Sequence, residues 1–343
     1  MANVVVLGAG ALSFGLLLPA LADCGHAVTV ATRVNASEQH DRLSAISRRR
    51  EVRVAHLWDD SFDVLSLDRV IDLSEQRGLA DLRSGIGDGW YSVVVTAARS
   101  GFDPVADVIC TAAARREPPI LLVSADNSPA DAWAHLREQP VPGVRAIASI
   151  ADRVCVRFPR THPTADVLIE RYGRWVVESD ADGRIDDLVT GAPLIRSTSD
   201  VDVAFRRKLH LVNGLHLALA LLAWTDGEPA LHRWVERNVA MATEVADDVG
   251  RAYEATYPSD PVNSEPQVDE ILERFRSTPD RAGRMLGLSE GQVTGHSFDL
   301  RRRVDERLTP ILGDRAAYGP ALGRVMQIAG DLADRWMTAG GHS

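Results

Sequence analysis

The sequence predicts an α/β protein in which a doubly wound parallel sheet (residues 1–190) is followed by a mostly α-helical domain (residues 191–343). Short runs of Val, Ile and Leu alternate with helical stretches over the first half, as in a parallel sheet that is buried on both faces. From about Ser199 onward the hydrophobic pattern is helical. A length of 343 residues suits two domains, and a composition that is 45% hydrophobic and 25% charged is typical of globular proteins.

The chain opens with a β-α-β pattern. Residues 4–7 are Val-Val-Val-Leu, an apolar helical stretch runs to about Asp23, and residues 27–31 form a second β-branched run. Gly8 would permit a tight turn after the first strand, and Gly10 would let the backbone approach a pyrophosphate at the positive end of the helix. These features indicate a Rossmann-type nucleotide-binding domain, although the same glycines also suit a tight turn without a ligand.

The end of the second strand indicates which nucleotide binds. A carboxylate there would accept hydrogen bonds from the ribose hydroxyls, whereas an arginine would pair with a 2′-phosphate. The chain has Arg33 at this point, with Thr32 and Asn35 as small donors, and it has no acid before Glu38. NADP(H) is therefore favoured and NAD(H) is possible, unless Arg33 is only a solvated surface residue.

Four further strands are predicted at residues 52–55, 93–96, 120–123 and 145–150. In parallel sheets, ligands bind outside the carboxyl ends of the strands. Thr96-Ala97 and residues 124–127 follow two such ends, so both loops are expected to border the cofactor. The cofactor-binding residues expected from this pattern are Gly8, Gly10, Ala11, Leu12, Ser13, Thr32, Arg33, Asn35, Thr96 and Ala97.

A long apolar run from Asp200 to Trp224 predicts a central buried helix, and it carries the only lysine among 38 basic residues. At about 100° per residue, Lys208, Asn213 and His216 share one side of this helix. A buried amine has a lowered pKa and can act as a general base, which an arginine cannot do. The competing interpretations are a hydrogen-bonded structural cluster and a lysine that compositional drift has left behind.

The segment Lys208-x4-Asn213-x2-His216 resembles the active-site helix of the polyol-specific long-chain dehydrogenases, a family that includes mannitol dehydrogenases and mannitol-1-phosphate dehydrogenases. A looser match runs from Arg274 to Pro310. The resemblance spans most of the chain, and the lysine helix is its specific part. Three shorter segments agree with the family: residues 8–10 (Gly-Ala-Gly), 124–127 (Ser-Ala-Asp-Asn) and 151–154 (Ala-Asp-Arg-Val).

The resemblance implies a metal-independent, NAD(P)-dependent oxidoreductase that interconverts a secondary alcohol and a ketone on a polyol, a sugar or a related metabolite, including phosphorylated and otherwise anionic ones. It implies that Lys208 is the catalytic acid/base and that Asn213 and Asn127 hydrogen-bond the reacting oxygen. His216 would position a substrate hydroxyl, and Asp152 would lie near the nicotinamide as a further cofactor-binding residue. The chain departs from the family pattern at Ser13, at Thr32-Arg33 and at Ser277.

Two other functions are compatible with the sequence. A ketopantoate-reductase-like 2-oxo acid reductase also combines an N-terminal nucleotide fold, a strand-end arginine and a lysine on a helix of the second domain. A protein that binds NADP without turnover is the non-catalytic alternative. The many arginines of the C-terminal half either bind an anionic substrate group or form a solvated helix face.

Composition and charge exclude several classes of protein. The formal net charge of −10 argues against a dedicated nucleic-acid-binding protein. Cys24, Cys110 and Cys155 lack ligand-type spacing, which predicts reduced thiols, a cytoplasmic location and no metal site. Neither a signal peptide nor a membrane segment is expected, because no basic residue precedes the first apolar stretch and no apolar run is long enough to span a bilayer. The expected partner is a small-molecule substrate, bound by a monomer or homodimer.

Overall fold

The chain forms two compact units, Met1–Phe205 (unit 1) and Arg206–Ser343 (unit 2). The division lies beyond the boundary expected after residue 190, because Ile195–Thr198 forms a strand that extends the sheet of unit 1. Half of the residues of that strand are exposed and polar, so no apolar pattern in the sequence predicts the strand. The structure, a computed structural model, describes residues 1–33, 37–59, 61–97, 103–125, 134–159, 161–180, 182–260, 268–279, 296–312 and 319–340.

The described residues of unit 1 form two sheets. The strands among these residues are β1 (Asn3–Leu7), β2 (Ala27–Thr32), β3 (Glu51–His56), β4 (Phe62–Ser66), β5 (Arg69–Asp72), β6 (Val93–Thr96), β7 (Ile120–Ser124), β8 (Val144–Asp152), β9 (Cys155–Arg157), β10 (Val167–Ile169), β11 (Arg174–Glu178) and β12 (Ile195–Thr198). Eight of them form one sheet in the spatial order β12-β11-β8-β7-β6-β1-β2-β5. Its neighbouring strands run parallel except where β11 lies antiparallel to β8.

The main sheet is buried on both faces, as the apolar runs predict. Along β1, Val4 and Val6 belong to one hydrophobic cluster, and Val5 and Leu7 belong to another on the opposite face. Helices cover these faces: α1 (Leu18–Asp23), α2 (Ser37–Arg49), α3 (Gln76–Gly87), α4 (Asp103–Ala113), α5 (Ala134–Glu138) and α6 (Arg184–Val189). The predicted α/β fold class, with a doubly wound sheet followed by a helical domain, is confirmed.

The strand predicted at residues 52–55 is real, but the expectation that it joins the parallel sheet is wrong. It is β3, and it lies in a separate four-stranded sheet of order β4-β3-β10-β9. Arg53, in the middle of β3, is exposed. Such an exposed charge is the mark of a sheet with one solvated face, whereas the strands of the main sheet are covered on both sides.

Unit 2 is helical around one long buried element. Helix α7 (Val201–Arg207) leads into a π-type turn (Lys208–Val212) and then into α8 (Asn213–Thr225), where every residue from Gly214 to Ala223 is buried. Around it pack α9 (Leu231–Arg237), α10 (Val239–Thr256), α11 (Val268–Ser277), α12 (His296–Arg307), a 3₁₀ turn (Thr309–Ile311) and α13 (Pro320–Gly340). None of the helices in the described parts of the chain is long and apolar enough to cross a membrane.

Candidate functional site

The order of the strands has a topological switch point at β1. From β1 the chain builds outward to β2 and β5 on one side, and then to β6, β7 and β8 on the other. Ligands of open α/β sheets bind at such a switch point, outside the carboxyl ends of the strands. Gly8 follows β1 there with a φ of 104°, a left-handed conformation that favours glycine, and its N–H donates to the Ala31 carbonyl at 2.8 Å.

The described residues leave open space at Gly10. Among them, a β-carbon on Gly10 would meet a single atom within 4 Å, the Ser13 hydroxyl oxygen at 4.0 Å, so their packing does not require glycine here. The Ser13 side chain is only 1% exposed, and its hydroxyl has no hydrogen-bond partner among the described residues. Buried hydroxyls normally have partners. The turn therefore fits an anionic group that fills the space over Gly10 and accepts a hydrogen bond from Ser13.

Gly15, rather than position 13, provides the close packing for which the fingerprint normally uses its third glycine. A β-carbon on Gly15 would lie 2.5 Å from the Cys155 Sγ and 2.8 Å from the Ile169 Cγ2. The half-buried Ala11 and Leu12 are already helical, and a π-type turn over Ser13–Leu17 follows them. The helix that follows the glycine turn thus packs against the four-stranded sheet, an arrangement that the sequence did not predict.

Two arginines connect this second sheet to the glycine turn. Arg153 donates from Nη1 to the Gly15 carbonyl at 2.9 Å and from Nε to the Glu170 carbonyl at 3.1 Å. Arg157 donates from Nη1 to the Ala9 carbonyl. Burial lowers the pKa of both guanidinium groups, partly offset at Arg153 by neighbouring acidic groups. Sequence reasoning overlooked Arg157, because nothing in the local pattern connects β9 with a turn almost 150 residues earlier.

At the end of β2, Thr32 is half-buried and Arg33 is exposed. In the neighbouring strand β5, Asp72 pairs in register with Thr32, so a carboxylate does lie at this edge of the sheet. Its Oδ1, however, accepts hydrogen bonds from the backbone N–H and the hydroxyl of Ser74, at 2.8 and 2.6 Å, and so it stabilises the following turn. Asn35, the third residue expected to contact the nucleotide here, lies outside the described residues.

Two residues expected to border the cofactor, Thr96 and Ala97, lie at the end of β6. Thr96 is fully buried, with its hydroxyl donating to the Val123 carbonyl at 3.4 Å, and Ala97 is half-buried with its N–H bonded to the Leu7 carbonyl. The side chain of Thr96 therefore faces the protein interior. Asp152 ends β8 and lies opposite Arg174 in register. Asn127, expected to contact the reacting oxygen, lies outside the described residues.

In unit 2, Lys208 is the first residue of the π-type turn, and Asn213 is the first residue after it. Both are half-buried, whereas His216 is 7% exposed and its ring stacks on Phe275 with centroids 4.5 Å apart. A π-type turn bonds residues five apart instead of four, so it alters the angles between side chains that a regular helix would give. Such turns are frequent at functional sites. The described structure thus keeps the three predicted residues on one continuous helical segment.

A buried ion pair supports the start of this π-type turn. Arg207, which precedes Lys208, donates from Nε and Nη2 to the Asp260 Oδ1, and the hydroxyl of Tyr253 donates to the Asp260 Oδ2. The Asp260 side chain is 2% exposed. Burial, followed by the bond to Asp260, strongly raises the pKa of Tyr253, so its hydroxyl stays protonated and remains a donor. These contacts fix the backbone directly before Lys208.

A second contact supports the middle of the turn. The Nδ1 of His210 donates to the Arg307 carbonyl at the end of α12, over 2.8 Å, and burial lowers the pKa of His210. A β-carbon on Gly214 would lie 3.1 Å from the same carbonyl oxygen, so a glycine permits α8 to approach the end of α12. His210 and Gly214 are therefore packing residues within the motif that carries Lys208. Among the described residues, no group of three or more His, Cys, Asp or Glu side chains could hold a metal ion.

Neither a protein-family model nor a curated protein sequence matches the chain. Solved structures do match it. Mannitol 2-dehydrogenase of Pseudomonas fluorescens, in a ternary complex with NAD and D-mannitol, gives a TM-score of 0.64 at 15% identity, over 99% of this chain and 93% of that one. A D-sorbitol dehydrogenase gives 0.63 at 14% identity, over 90% of this chain and 75% of that one.

A third match is 2-dehydropantoate 2-reductase of Methylococcus capsulatus, with a TM-score of 0.53 at 18% identity, over 97% of each chain. Because the sequence identities are low, these structural matches show a common fold and nothing further. Both polyol enzymes give higher TM-scores than the reductase. This chain has the fold of the mannitol-dehydrogenase-like polyol dehydrogenases.

Proposed function

We propose that the chain is an NAD(P)-dependent oxidoreductase that interconverts a secondary alcohol and a ketone on a polyol, a sugar or a related anionic metabolite. The observation that carries the proposal is the place of the only lysine, at the first residue of a π-type turn within a buried helix. Asn213 and His216 follow on the same helical segment. The fold supports the proposal, since mannitol 2-dehydrogenase shares it and was solved with NAD and D-mannitol.

Unit 1 would bind the nucleotide. The space over Gly10 would receive the pyrophosphate, which would accept hydrogen bonds from the Ser13 hydroxyl and from backbone N–H groups at the start of the helix. Arg33, at the end of β2, would pair with a 2′-phosphate, and NADP(H) is for this reason the proposed cofactor. When bound, the nicotinamide supplies hydride transfer.

Residues of unit 2 would transfer the proton and orient the substrate. In the oxidative direction the neutral amine Nζ of Lys208 would accept the proton of the substrate hydroxyl, and in the reductive direction its ammonium form would donate one. The side-chain amide of Asn213 would donate a hydrogen bond to the same oxygen and stabilise its developing negative charge. His216, whose ring is held against Phe275, would hydrogen-bond a neighbouring hydroxyl. Asn127 is proposed as a second side-chain amide that donates a hydrogen bond to the reacting oxygen.

A substrate panel tests the proposal. Purified protein is incubated with NADPH or NADH and with ketoses, ketose phosphates and uronates, and cofactor oxidation is followed by absorbance. We expect oxidation with at least one ketose or ketose derivative, and faster oxidation of NADPH than of NADH. Tight NADPH binding without oxidation across the whole panel would overturn the proposal in favour of a non-catalytic nucleotide-binding protein.

A 2-oxo acid reductase is the second candidate, because the reductase from Methylococcus capsulatus shares the fold with a TM-score of 0.53 over 97% of both chains. The same panel therefore includes 2-dehydropantoate and simpler branched 2-oxo acids. Oxidation of NADPH with these acids, and with no ketose, would select this candidate over the polyol enzyme.

A further inference from the structure

We infer that Arg157 is a phosphate-binding residue of the nucleotide site and that it pairs with the pyrophosphate over the glycine turn. The identity of the ligand, a dinucleotide, rests on the proposed function. Arg157 is the last residue of β9, in the four-stranded sheet. One of its terminal nitrogens, Nη1, donates to the carbonyl of Ala9, which lies between Gly8 and Gly10. The guanidinium is therefore in direct contact with the turn.

Arg157 is half-buried, and no carboxylate in the described part of the chain forms an ion pair with its guanidinium. Its second terminal nitrogen, Nη2, is shielded from solvent and has no hydrogen-bond partner there. Burial lowers the pKa of this guanidinium. The ring of Phe158 lies against the group, with its centroid 4.7 Å from Cζ. Because a shielded N–H group of a charged side chain is costly without an acceptor, the arrangement suits an anion.

Ser13 gives independent evidence for a ligand at the same turn. Its side chain is 1% exposed, its hydroxyl has no partner among the described residues, and it borders the space over Gly10. An anion with several oxygens can accept from the Ser13 hydroxyl, the Arg157 Nη2 and the N–H groups of the helix start together. The pyrophosphate is the part of the nucleotide concerned, since Ala9 follows β1, whereas a 2′-phosphate belongs at the end of β2.

Arg42 provides a matched control. It lies on α2, and its Cζ is 4.8 Å from the centroid of the same Phe158 ring. Arg42 and Arg157 thus carry the same positive charge and contact the same ring, but it is Arg157 that donates a hydrogen bond to the carbonyl of Ala9. Neutralising either arginine removes a cation–π contact, and only the loss of Arg157 removes a charge from the glycine turn.

The test uses the full chain and measures dissociation constants for ADP and NADPH by calorimetry, for the wild type, Arg157→Gln and Arg42→Gln. We expect Arg157→Gln to weaken ADP and NADPH by about 10- to 100-fold, the usual effect of a charge-assisted hydrogen bond. Arg42→Gln should bind both like the wild type. Circular dichroism checks that each variant is folded. If Arg157→Gln does not fold, Arg157→Lys replaces it and should also bind ADP more weakly, since an ammonium cannot match the two terminal nitrogens.

Wild-type affinity for ADP in a folded Arg157 variant would overturn the inference, and so would an equal loss in Arg42→Gln. The proposed function fails in a different way. If ADP binding depends on Arg157 but no carbonyl substrate is reduced, the inference stands and the redox proposal falls. If NADPH is oxidised with a substrate while the Arg157 variants keep wild-type affinity for ADP, only the inference falls.

Discussion

Gly15 lies so close to Cys155 that a β-carbon on Gly15 would come within 2.5 Å of the Cys155 Sγ. Gly10, five residues earlier, has the opposite environment, because a β-carbon there would meet, among the described residues, only the Ser13 hydroxyl at 4.0 Å. The two glycines therefore serve different purposes. Gly15 allows the helix to pack on the four-stranded sheet, and Gly10 leaves room for a ligand.

The first prediction concerns stability. Gly15→Ala should lower the free energy of unfolding by about 1–3 kcal/mol, because the added methyl group overlaps side chains in a packed interior. Urea unfolding measures the effect. Combining it with Cys155→Ala should recover part of the loss, since the Ile169 Cγ2 would still lie 2.8 Å from the new β-carbon. A Gly15→Ala variant as stable as the wild type would contradict the close packing described here.

The second prediction separates ligand binding from stability. Gly10→Ala should change the free energy of unfolding by less than about 0.5 kcal/mol, because the β-carbon enters open space. The same methyl group occupies the proposed pyrophosphate position, so the dissociation constant for NADPH should rise about tenfold or more, which is about 1.4 kcal/mol. Unfolding in urea and a fluorescence titration with NADPH give the two values. Unchanged NADPH affinity would place the nucleotide elsewhere.

The third prediction tests the lysine. Lys208→Ala should lower kcat by about 10²- to 10⁴-fold, the usual contribution of a general acid or base, and leave the dissociation constant for NADPH unchanged. Lys208→Arg is the informative companion, since it keeps the positive charge but cannot give up its proton. It should be as inactive as the alanine variant. Turnover by Lys208→Arg close to that of the wild type would assign Lys208 an electrostatic role only.

The fourth prediction concerns nucleotide preference. Arg33→Ala should weaken NADPH by about 10- to 100-fold, as expected for a lost charge-assisted contact, and should leave NADH nearly unchanged. The measured quantity is the ratio of the two dissociation constants in wild type and variant. Arg53→Ala serves as control, because Arg53 is also exposed but lies in the middle of β3, away from the strand ends. An equal loss for both nucleotides would show that Arg33 does not discriminate between them.

Much of the fold was predictable because its signals are local. Strands such as β1 and β6 are short apolar runs, and this pattern indicates a strand that is buried on both faces of a sheet. Strands β3 and β12 each carry exposed polar residues, so apolar content indicated neither the sheet of β3 nor the existence of β12. Their places are set by pairing with distant strands, β10 and β11, which no local window contains.

In the candidate site too, the residues that the sequence could predict are those with a local signal. Gly10, Ser13, Lys208 and Asn213 could be named because a turn or a helix fixes their spacing within a few residues. The residues that support them could not be named, because each acts on a distant part of the chain. Asp260 binds Arg207 across 53 positions, and Arg157 binds Ala9 across 148. Only the folded chain brings these groups together.

The Arg207–Asp260 pair gives the fifth prediction, which compares two substitutions in unit 2. Asp260→Asn leaves a buried guanidinium without its carboxylate and should cost about 3–5 kcal/mol of stability. Tyr253→Phe removes one hydrogen bond to the same carboxylate and should cost about 0.5–1.5 kcal/mol. Urea unfolding compares the two. If Tyr253→Phe is as damaging as Asp260→Asn, the ion pair is not the main support of the turn that carries Lys208, and kcat should then follow Tyr253 instead.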